Sequence, residues 1–190
     1  RSYYLKFMST HEPYDHDHGD PIQAASQIMQ DYDFIGVSER MLESLVVLQL
    51  ILGLNTSDIL FLNAKTQGGF DDGVFHQQCT YIQPSYLSSN LLQFLDSHQW
   101  HNFTRGDSLL YVAVNKSLDL TIDALGRKTV EKKVKYLEWA LSQVQTRCTD
   151  EVVFPCSKGG VFAADNDCLL WDSGCGYNCI DRVVEELNIQ

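Results

Sequence analysis

The chain has 190 residues, of which 44% are apolar, and this is enough to bury the core of one domain of ordinary size. Its formal net charge of −11 argues against non-specific binding to nucleic acid or to an anionic membrane surface, because both need a cationic protein face. No apolar run approaches the ~20 residues that a membrane-spanning helix needs. No signal peptide is visible, and we interpret Arg1 as a processing or cloning boundary.

The chain begins with an apolar and aromatic stretch, Arg1 to Phe7, which is typical of a buried helix end. A polar loop, His11 to Pro21, follows, and its Pro21 suits the first turn of a helix through about Gln30. In this loop His11, His16 and His18 lie among carboxylates, which leaves two hypotheses open: a solvated connection, or part of a metal-dependent hydrolase site. Since adjacent residues seldom converge on one ion, no metal site is predicted.

Two short apolar runs are predicted to be strands. The first is Asp33 to Val37, and the second is Ile59 to Ala64. Between them, Ser38 is predicted to cap a long apolar helix that stops at Gly53, where a left-handed residue commonly ends a helix. A loop rich in glycine and aspartate follows the second strand, from Lys65 to Ser85.

Helices are predicted through most of the second half of the chain, because apolar residues recur there at helical spacing. Asp107 is predicted to cap the longest of these helices, and Gly126 is predicted to end it. Lysines and glutamates of the next helix are predicted to form a solvated face. The four predicted helices are Ser88 to Trp100, Ser108 to Leu125, Thr129 to about Thr146, and Ile180 to Leu187.

The cysteines are predicted to form disulfides rather than a zinc site. Zinc needs two closely spaced ligand pairs, whereas only Cys175 and Cys179 are as close as C-x3-C. The sequence does not choose among the possible pairings of Cys79, Cys148, Cys156, Cys168, Cys175 and Cys179. Three sequons predict glycosylation of Asn55, Asn102 and Asn115, which agrees with a lumenal or secreted chain.

Three short segments share their pattern with one enzyme family. Gly36-Val37-Ser38-Glu39 matches a strand end that runs into an apolar helix, and Asp107-Ser-Leu-Leu-Tyr111 matches the Asp-x-x-Leu-Tyr start of a late core helix. Tyr3-Tyr4-Leu5-Lys6-Phe7 matches the end of a segment that holds the 3′-phosphate of a sulfate donor. In this order the segments resemble the Golgi carbohydrate sulfotransferases, the group that contains the heparan-sulfate 2-O-sulfotransferases.

The resemblance implies an α/β fold, with a predominantly helical scaffold around a few parallel strands and a disulfide-pinned C-terminal cap. It implies a scaffold at residues 1–147, similar to the C-terminal part of the P-loop-like sulfotransferase fold, and a cysteine-rich cap at residues 148–190. It also implies that Ser2 and Lys65 contact the donor nucleotide PAPS. The sequence contains neither the family's donor loop nor its catalytic base, so PAPS is expected to bind only if an N-terminal half is present.

Two functions remain open from the sequence, and catalysis itself is undecided. The chain is either a fragment of a PAPS-dependent carbohydrate sulfotransferase, or a non-catalytic structural or binding subunit that retains the sulfotransferase scaffold. The first function implies a carbohydrate acceptor as partner, and the second implies a larger protein assembly. Both place the chain in the lumen of the secretory pathway, such as the Golgi, or outside the cell.

Overall fold

The computed structural model describes residues 2–10, 19–62, 68–70, 79–82, 86–154, 156–157, 159–162 and 175–190. Seven α-helices and two short strands lie in these ranges. The helices are α1 (Tyr3–Met8), α2 (Pro21–Asp31), α3 (Met41–Leu52), α4 (Ser89–Leu95), α5 (His98–Leu125), α6 (Arg127–Cys148) and α7 (Tyr177–Leu187); the strands are β1 (Gly68–Phe70) and β2 (Thr80–Ile82).

The predicted α/β fold with parallel strands is wrong. Helices make up most of the described residues, and the one sheet among those residues consists of β1 and β2. These two strands pair antiparallel, with Gly69 opposite Tyr81. The described part of the chain is therefore predominantly helical.

Neither predicted strand belongs to that sheet. Residues 33–37 end in extended backbone at Val37, with φ −111° and ψ 120°, but pair with no strand in the described ranges. The second predicted strand starts inside a 3₁₀ turn, Thr56–Ile59, and residues 60–62 are irregular, while residues 63–64 lie outside the described ranges. Short apolar runs indicate burial more reliably than they indicate strand structure, and Val37, Ile59, Leu60 and Leu62 are indeed buried.

Several helix boundaries follow local signals in the sequence. Asp20 Oδ1 accepts a hydrogen bond from the backbone N–H of Ile22 at 2.9 Å and starts α2 directly before Pro21. α3 and α5 end where predicted, next to Gly53 and Gly126, whose φ angles are 66° and 90°. Glycine adopts this left-handed region without the steric cost that other residues meet there.

The start of α5 differs from the prediction. Ser97 Oγ accepts a hydrogen bond from the Trp100 N–H at 3.2 Å, and the helix then runs for 28 residues. Asp107 therefore lies inside α5 and does not cap it. The helix predicted from Ser88 to Trp100 is in turn divided between α4 and the first turn of α5.

The chain forms two compact units, of which the first comprises Arg1–Leu48 and Tyr86–Val130. In this unit α1, α2 and α4 pack against α5, and α1 also packs against α2. A buried apolar stripe on α5 follows helical spacing, and each of its side chains stabilises the fold by about 1.5 to 3 kcal/mol. The stripe consists of Leu110, Val114, Leu118 and Ile122.

The second unit comprises Gln49–Ser85 and Glu131–Gln190. Disulfides join Cys79 to Cys156 and Cys148 to Cys179, and Cys175 is also disulfide-bonded. The prediction of disulfides is thus confirmed, and such bonds are typical of secreted or lumenal proteins because they persist in oxidising compartments. The predicted boundary between residues 147 and 148 stays a prediction.

Candidate functional site

α1 is attached to α5 through Asp107. The Asp107 carboxylate accepts hydrogen bonds from the backbone N–H groups of Tyr3, Tyr4 and Leu5, at N–O distances of 2.7, 2.9 and 3.2 Å. The first turn of a helix leaves these donors without intrahelical partners, and the helix dipole favours a negative charge beside them. Asp107 therefore fixes the N-terminus of α1 on the surface of α5.

Gly106 permits the close approach of these two helices. A Cβ at position 106 would lie 2.5 Å from Leu5 Cδ1 and would also collide with the side chain of Ser2. Both Ser2 and Leu5 are buried. The absence of a side chain at position 106 thus lets α1 lie directly on the backbone of α5.

Ser44 of α3 holds the extended segment that precedes this helix. Its Oγ accepts a hydrogen bond from the Val37 N–H at 2.9 Å and donates one to the Val37 carbonyl at 3.2 Å. Both backbone polar groups of a buried residue are thereby satisfied. The predicted Ser38 cap is not formed, because the Ser38 hydroxyl donates to the Glu39 carboxylate at 3.1 Å.

Arg40 links the 3₁₀ turn Ser38–Arg40 to α5. Its Nε lies 2.7 Å from Glu43 Oε2, and its Nη2 lies 2.9 Å from Asp119 Oδ1. The hydrogen bond to Glu43 is the main cause that raises the pKa of Arg40, and the bond to Asp119 adds to it. Because two carboxylates compensate its charge, Arg40 positions the turn and is not an open site for an anion.

A cavity of about 630 Å³ lies among these elements, and we call it the α1–α5 groove. It is lined by Tyr4 and Met8 of α1, by residues 35–39, and by side chains of α5 between Asp107 and Val114. Each of the three segments that share the sulfotransferase pattern contributes to this lining. Residues that are far apart in the sequence therefore surround one cavity.

The lining of the groove is largely apolar, and its charged groups are acidic. Glu39 and Asp107 contribute carboxylates, and the hydroxyl groups come from Tyr4, Ser38, Ser108 and Tyr111. No lysine, arginine or histidine of the described ranges lines the groove. The arrangement can therefore accept hydrogen bonds from a ligand and pack against its apolar surface, but it offers no cation to a phosphate or sulfate.

Of the two residues that the resemblance assigns to the donor, the structure describes Ser2 alone. Ser2 is 3% exposed, makes no side-chain hydrogen bond at the start of α1 and does not line the groove. Lys65 and the His11 to His18 loop lie outside the described ranges. The donor contacts of Ser2 and Lys65 stay predictions. Within the described ranges, no group of histidine, cysteine and acidic side chains could hold a metal ion.

The predicted glycosylation sites are not among the residues that line the groove. Asn55 is exposed just before the 3₁₀ turn Thr56–Ile59. Asn102 and Asn115 lie within α5, where the Asn102 amide contacts His98 Nδ1 at 3.1 Å and the Asn115 amide donates to the Tyr111 carbonyl at 3.1 Å. None of the three is therefore part of the candidate site.

Sequence reasoning missed the residues that shape the groove without matching a motif. Ser44 carried a weak signal, since it is a polar residue in an otherwise apolar helix. Arg40 and Asp119 carried no local signal, because 79 positions separate the two partners.

No helix in the described ranges has both the length and the apolar character needed to cross a bilayer. In comparisons with protein-family models, curated proteins and solved structures, nothing matches this chain.

Proposed function

We propose that this chain is the C-terminal portion of a carbohydrate sulfotransferase similar to the heparan-sulfate 2-O-sulfotransferases, with PAPS as sulfate donor. One observation carries the proposal: the three segments that share the family's pattern line a single groove in the first unit. Chance matches of four or five residues have no reason to meet in space. The proposal rests on this convergence and not on the fold, because the parallel strands that the resemblance implied are absent from the described residues.

The acidic lining of the groove limits which part of the reaction this chain performs. Sulfuryl transfer needs a cradle for the donor phosphates, a base for the acceptor hydroxyl and positive charge around the migrating group. Glu39 and Asp107 are the charged residues of the groove lining in the described ranges, and both are negative. The proposal therefore assigns the base and the positive charge around the migrating group to other parts of the protein, keeps Ser2 and Lys65 as predicted donor contacts, and assigns acceptor recognition to the groove.

The proposed function predicts transfer of labelled sulfate. Full-length protein that contains this chain is incubated with [³⁵S]PAPS and a panel of polysaccharides, and incorporation into each polysaccharide is measured. The protein is purified after passage through the secretory pathway, which includes the Golgi lumen. We then expect label in at least one glycan of the panel. If no glycan of the panel takes up label, although PAPS is intact and the protein is folded, the proposal is contradicted.

A second candidate function is a non-catalytic subunit of a larger assembly. It is favoured by α4, which contains no buried residue and leaves Leu91, Leu92 and Phe94 exposed. Apolar patches of this kind often mark protein contacts. Light scattering of the protein purified from its native source tests this candidate: a larger complex supports it, and a monodisperse monomer argues against it.

A further inference from the structure

The basic residues of the chain are concentrated on one helix. α6 carries six of the 14 lysines and arginines of the chain but two of its 25 aspartates and glutamates, Glu131 and Glu138. The net charge of −11 therefore describes the chain as a whole and not this helix. Because nearby charges dominate a surface potential, α6 can attract an anionic group that the rest of the chain repels.

Two lysines of α6 share the face of the helix that points away from the core. Lys132 and Lys135 are exposed, and helical spacing places both on the side opposite Leu137, which is fully buried. Glu131 and Glu138 lie toward one edge of this face. The ion pairs found among the described residues are all formed by arginines, so they use neither lysine.

An exposed aromatic pair continues the same face toward the C-terminus of α6. The rings of Tyr136 and Trp139 are stacked with their centroids 5.4 Å apart, and the two residues are 37% and 41% exposed. Trp139 lies about two turns after Lys132 and about one turn after Lys135, on the same stripe. Tyrosine and tryptophan are enriched at protein contacts and supply much of their binding energy. We call Lys132, Lys135, Tyr136 and Trp139 the α6 basic face.

The length of the α6 basic face limits what can bind to it. Seven helical steps separate Lys132 from Trp139, so the face is about 10 Å long. A nucleic acid or a sulfated polysaccharide carries its charge along a much longer rod, and the acidic residues outside α6 repel the parts that extend beyond the face. A bilayer surface brings its anionic head groups against the same residues. A short acidic protein segment concentrates its charge within the length of the face.

We propose that the α6 basic face binds an acidic segment of a partner protein, with carboxylates at Lys132 and Lys135 and an apolar side chain on Tyr136 and Trp139. The cations and the rings lie on one stripe, so a single segment can contact both. The lysines attract the segment over about 8 Å at physiological salt, and the aromatic pair supplies the apolar contact. This inference goes beyond the proposed sulfotransferase function and does not depend on it.

Fluorescence anisotropy with the full 190-residue chain tests the inference. The probe is a labelled peptide of about ten residues, with aspartates and glutamates around one central phenylalanine. We expect saturable binding that weakens as NaCl rises from about 50 to about 300 mM, because salt screens the charges. A control peptide with amides in place of the carboxylates should not bind. Equal binding of the two peptides, or no saturation at millimolar peptide, would overturn the inference.

Charge reversal then places the binding on α6. The double variant Lys132→Glu/Lys135→Glu should weaken peptide binding by about tenfold, because two attractions become repulsions. Lys6→Glu/Lys116→Glu changes the net charge equally at exposed lysines of the first unit, and as the matched control it should lose much less affinity. Trp139→Ala should weaken binding by about three- to tenfold and leave its salt dependence unchanged. Equal losses in the two double variants, with unchanged melting curves, would contradict the location.

Three further measurements test other occupants of the α6 basic face. Acetylation of the isolated chain, mapped by mass spectrometry, should modify Lys132 and Lys135 as readily as Lys116. Protection of both would show that another part of the chain covers the face and would overturn the inference. Tighter binding of heparin or of phosphatidylserine vesicles than of the peptide, lost in the α6 double variant, would assign the face to a polysaccharide or a membrane and reject a protein partner. Self-association of the chain that the same variant removes would assign the face to a second copy and also reject the inference.

Discussion

Asp107 lies inside α5 and accepts hydrogen bonds from the first three amides of α1. A single side chain thus acts as the N-terminal cap of a different helix, more than a hundred residues earlier in the sequence. Ser44 has a comparable role, because its hydroxyl satisfies both backbone groups of Val37. At the scale of single residues, the groove depends on side chains that complete the hydrogen bonding of a neighbouring backbone.

Replacement of Asp107 tests this role. Asp107→Ala should lower the free energy of unfolding by about 2 kcal/mol, since it leaves α1 donors without an acceptor, and Asp107→Asn should cost less. Urea denaturation measures both changes. Asp123, like Asp107, belongs to α5, and Asp123→Ala removes an exposed ion pair with Arg127 of α6. This variant should cost at most about 0.5 kcal/mol. Similar losses for Ala at positions 107 and 123 would show that Asp107 is not a cap.

The three sequons differ in their structural setting. Asn55 is exposed at the start of a turn, where its side chain takes part in a capping box with Asp58, whereas Asn102 and Asn115 lie inside α5. We expect glycan occupancy to be highest at Asn55 in protein secreted from eukaryotic cells. Peptide mapping by mass spectrometry measures occupancy, with Asn55→Gln and Asn115→Gln as the paired variants. Full occupancy at Asn115 with an empty Asn55 would contradict this prediction.

Two of the contacts that hold elements together differ in kind. In the first unit, the side chains of Ser2 and Leu5 pack on α5 at Gly106, which has no side chain of its own. In the second unit, ion pairs connect the end of α6 and the turn after it to α7, through Arg147 with Glu186 and Arg182 with Glu151. The first contact depends on close packing, and the second depends on charge.

Gly106→Ala tests the helix contact in the first unit. Alanine stabilises an exposed helix interior by about 1 kcal/mol relative to glycine, but here its Cβ would collide with Leu5 and Ser2. We expect a net loss of about 1 to 3 kcal/mol from overpacking. In a double-mutant cycle with Leu5→Ala, measured by thermal unfolding, the combined cost should be smaller than the sum. Strict additivity would show that the two positions do not touch.

Glu151 supplies a pH-dependent contact in the second unit. The hydrogen bond from Arg182 lowers the pKa of Glu151, so the carboxylate contributes stability above its usual pKa. This contribution is lost as the pH falls from about 5 through the lowered pKa. The melting-temperature difference between the native chain and Glu151→Gln should therefore shrink toward zero in acid. Glu185→Gln, which removes a different carboxylate of the second unit on α7, serves as the control variant.

All six cysteines belong to the second unit, and none lies in the sequence of the first. The disulfides close segments of 77 and 31 residues, which restrict the unfolded chain and hold α7 to α6 through Cys148 and Cys179. Both units bury apolar side chains, such as the stripe of α5 in the first unit and Leu137, Val144 and Val183 in the second. At the scale of the whole molecule, the second unit is therefore the one that disulfides stabilise in addition.

Reduction of the disulfides should affect the second unit first. Loss of each bond is expected to lower the free energy of unfolding by about 2 to 5 kcal/mol. Hydrogen exchange before and after reduction should show loss of protection in α7, while the amides of Leu110 to Ile122 in α5 keep theirs. Unchanged protection from Val152 to Tyr177, or equal loss in both units, would contradict this prediction.

Much of the helical structure could be predicted because its signals are local. Gly53 and Gly126 end helices through their own backbone preference, and the spacing of Leu110, Val114 and Leu118 identifies a buried face. The strand predicted at Asp33 to Val37 was wrong, although Val37 is buried as expected. An apolar run determines burial by itself, whereas a strand also needs a partner that the run cannot specify.

The sequence alone determined that α3 and α5 end at Gly53 and Gly126, that one face of α5 is buried and that the cysteines form disulfides. Only the tertiary structure decided that Asp107 caps α1, that Arg40 pairs with Asp119 and that Cys79 pairs with Cys156. The physical reason is the range of each interaction. Backbone preference and side-chain periodicity act within one or two helical turns, but a hydrogen bond, an ion pair or a disulfide between distant residues depends on positions that the folded chain sets.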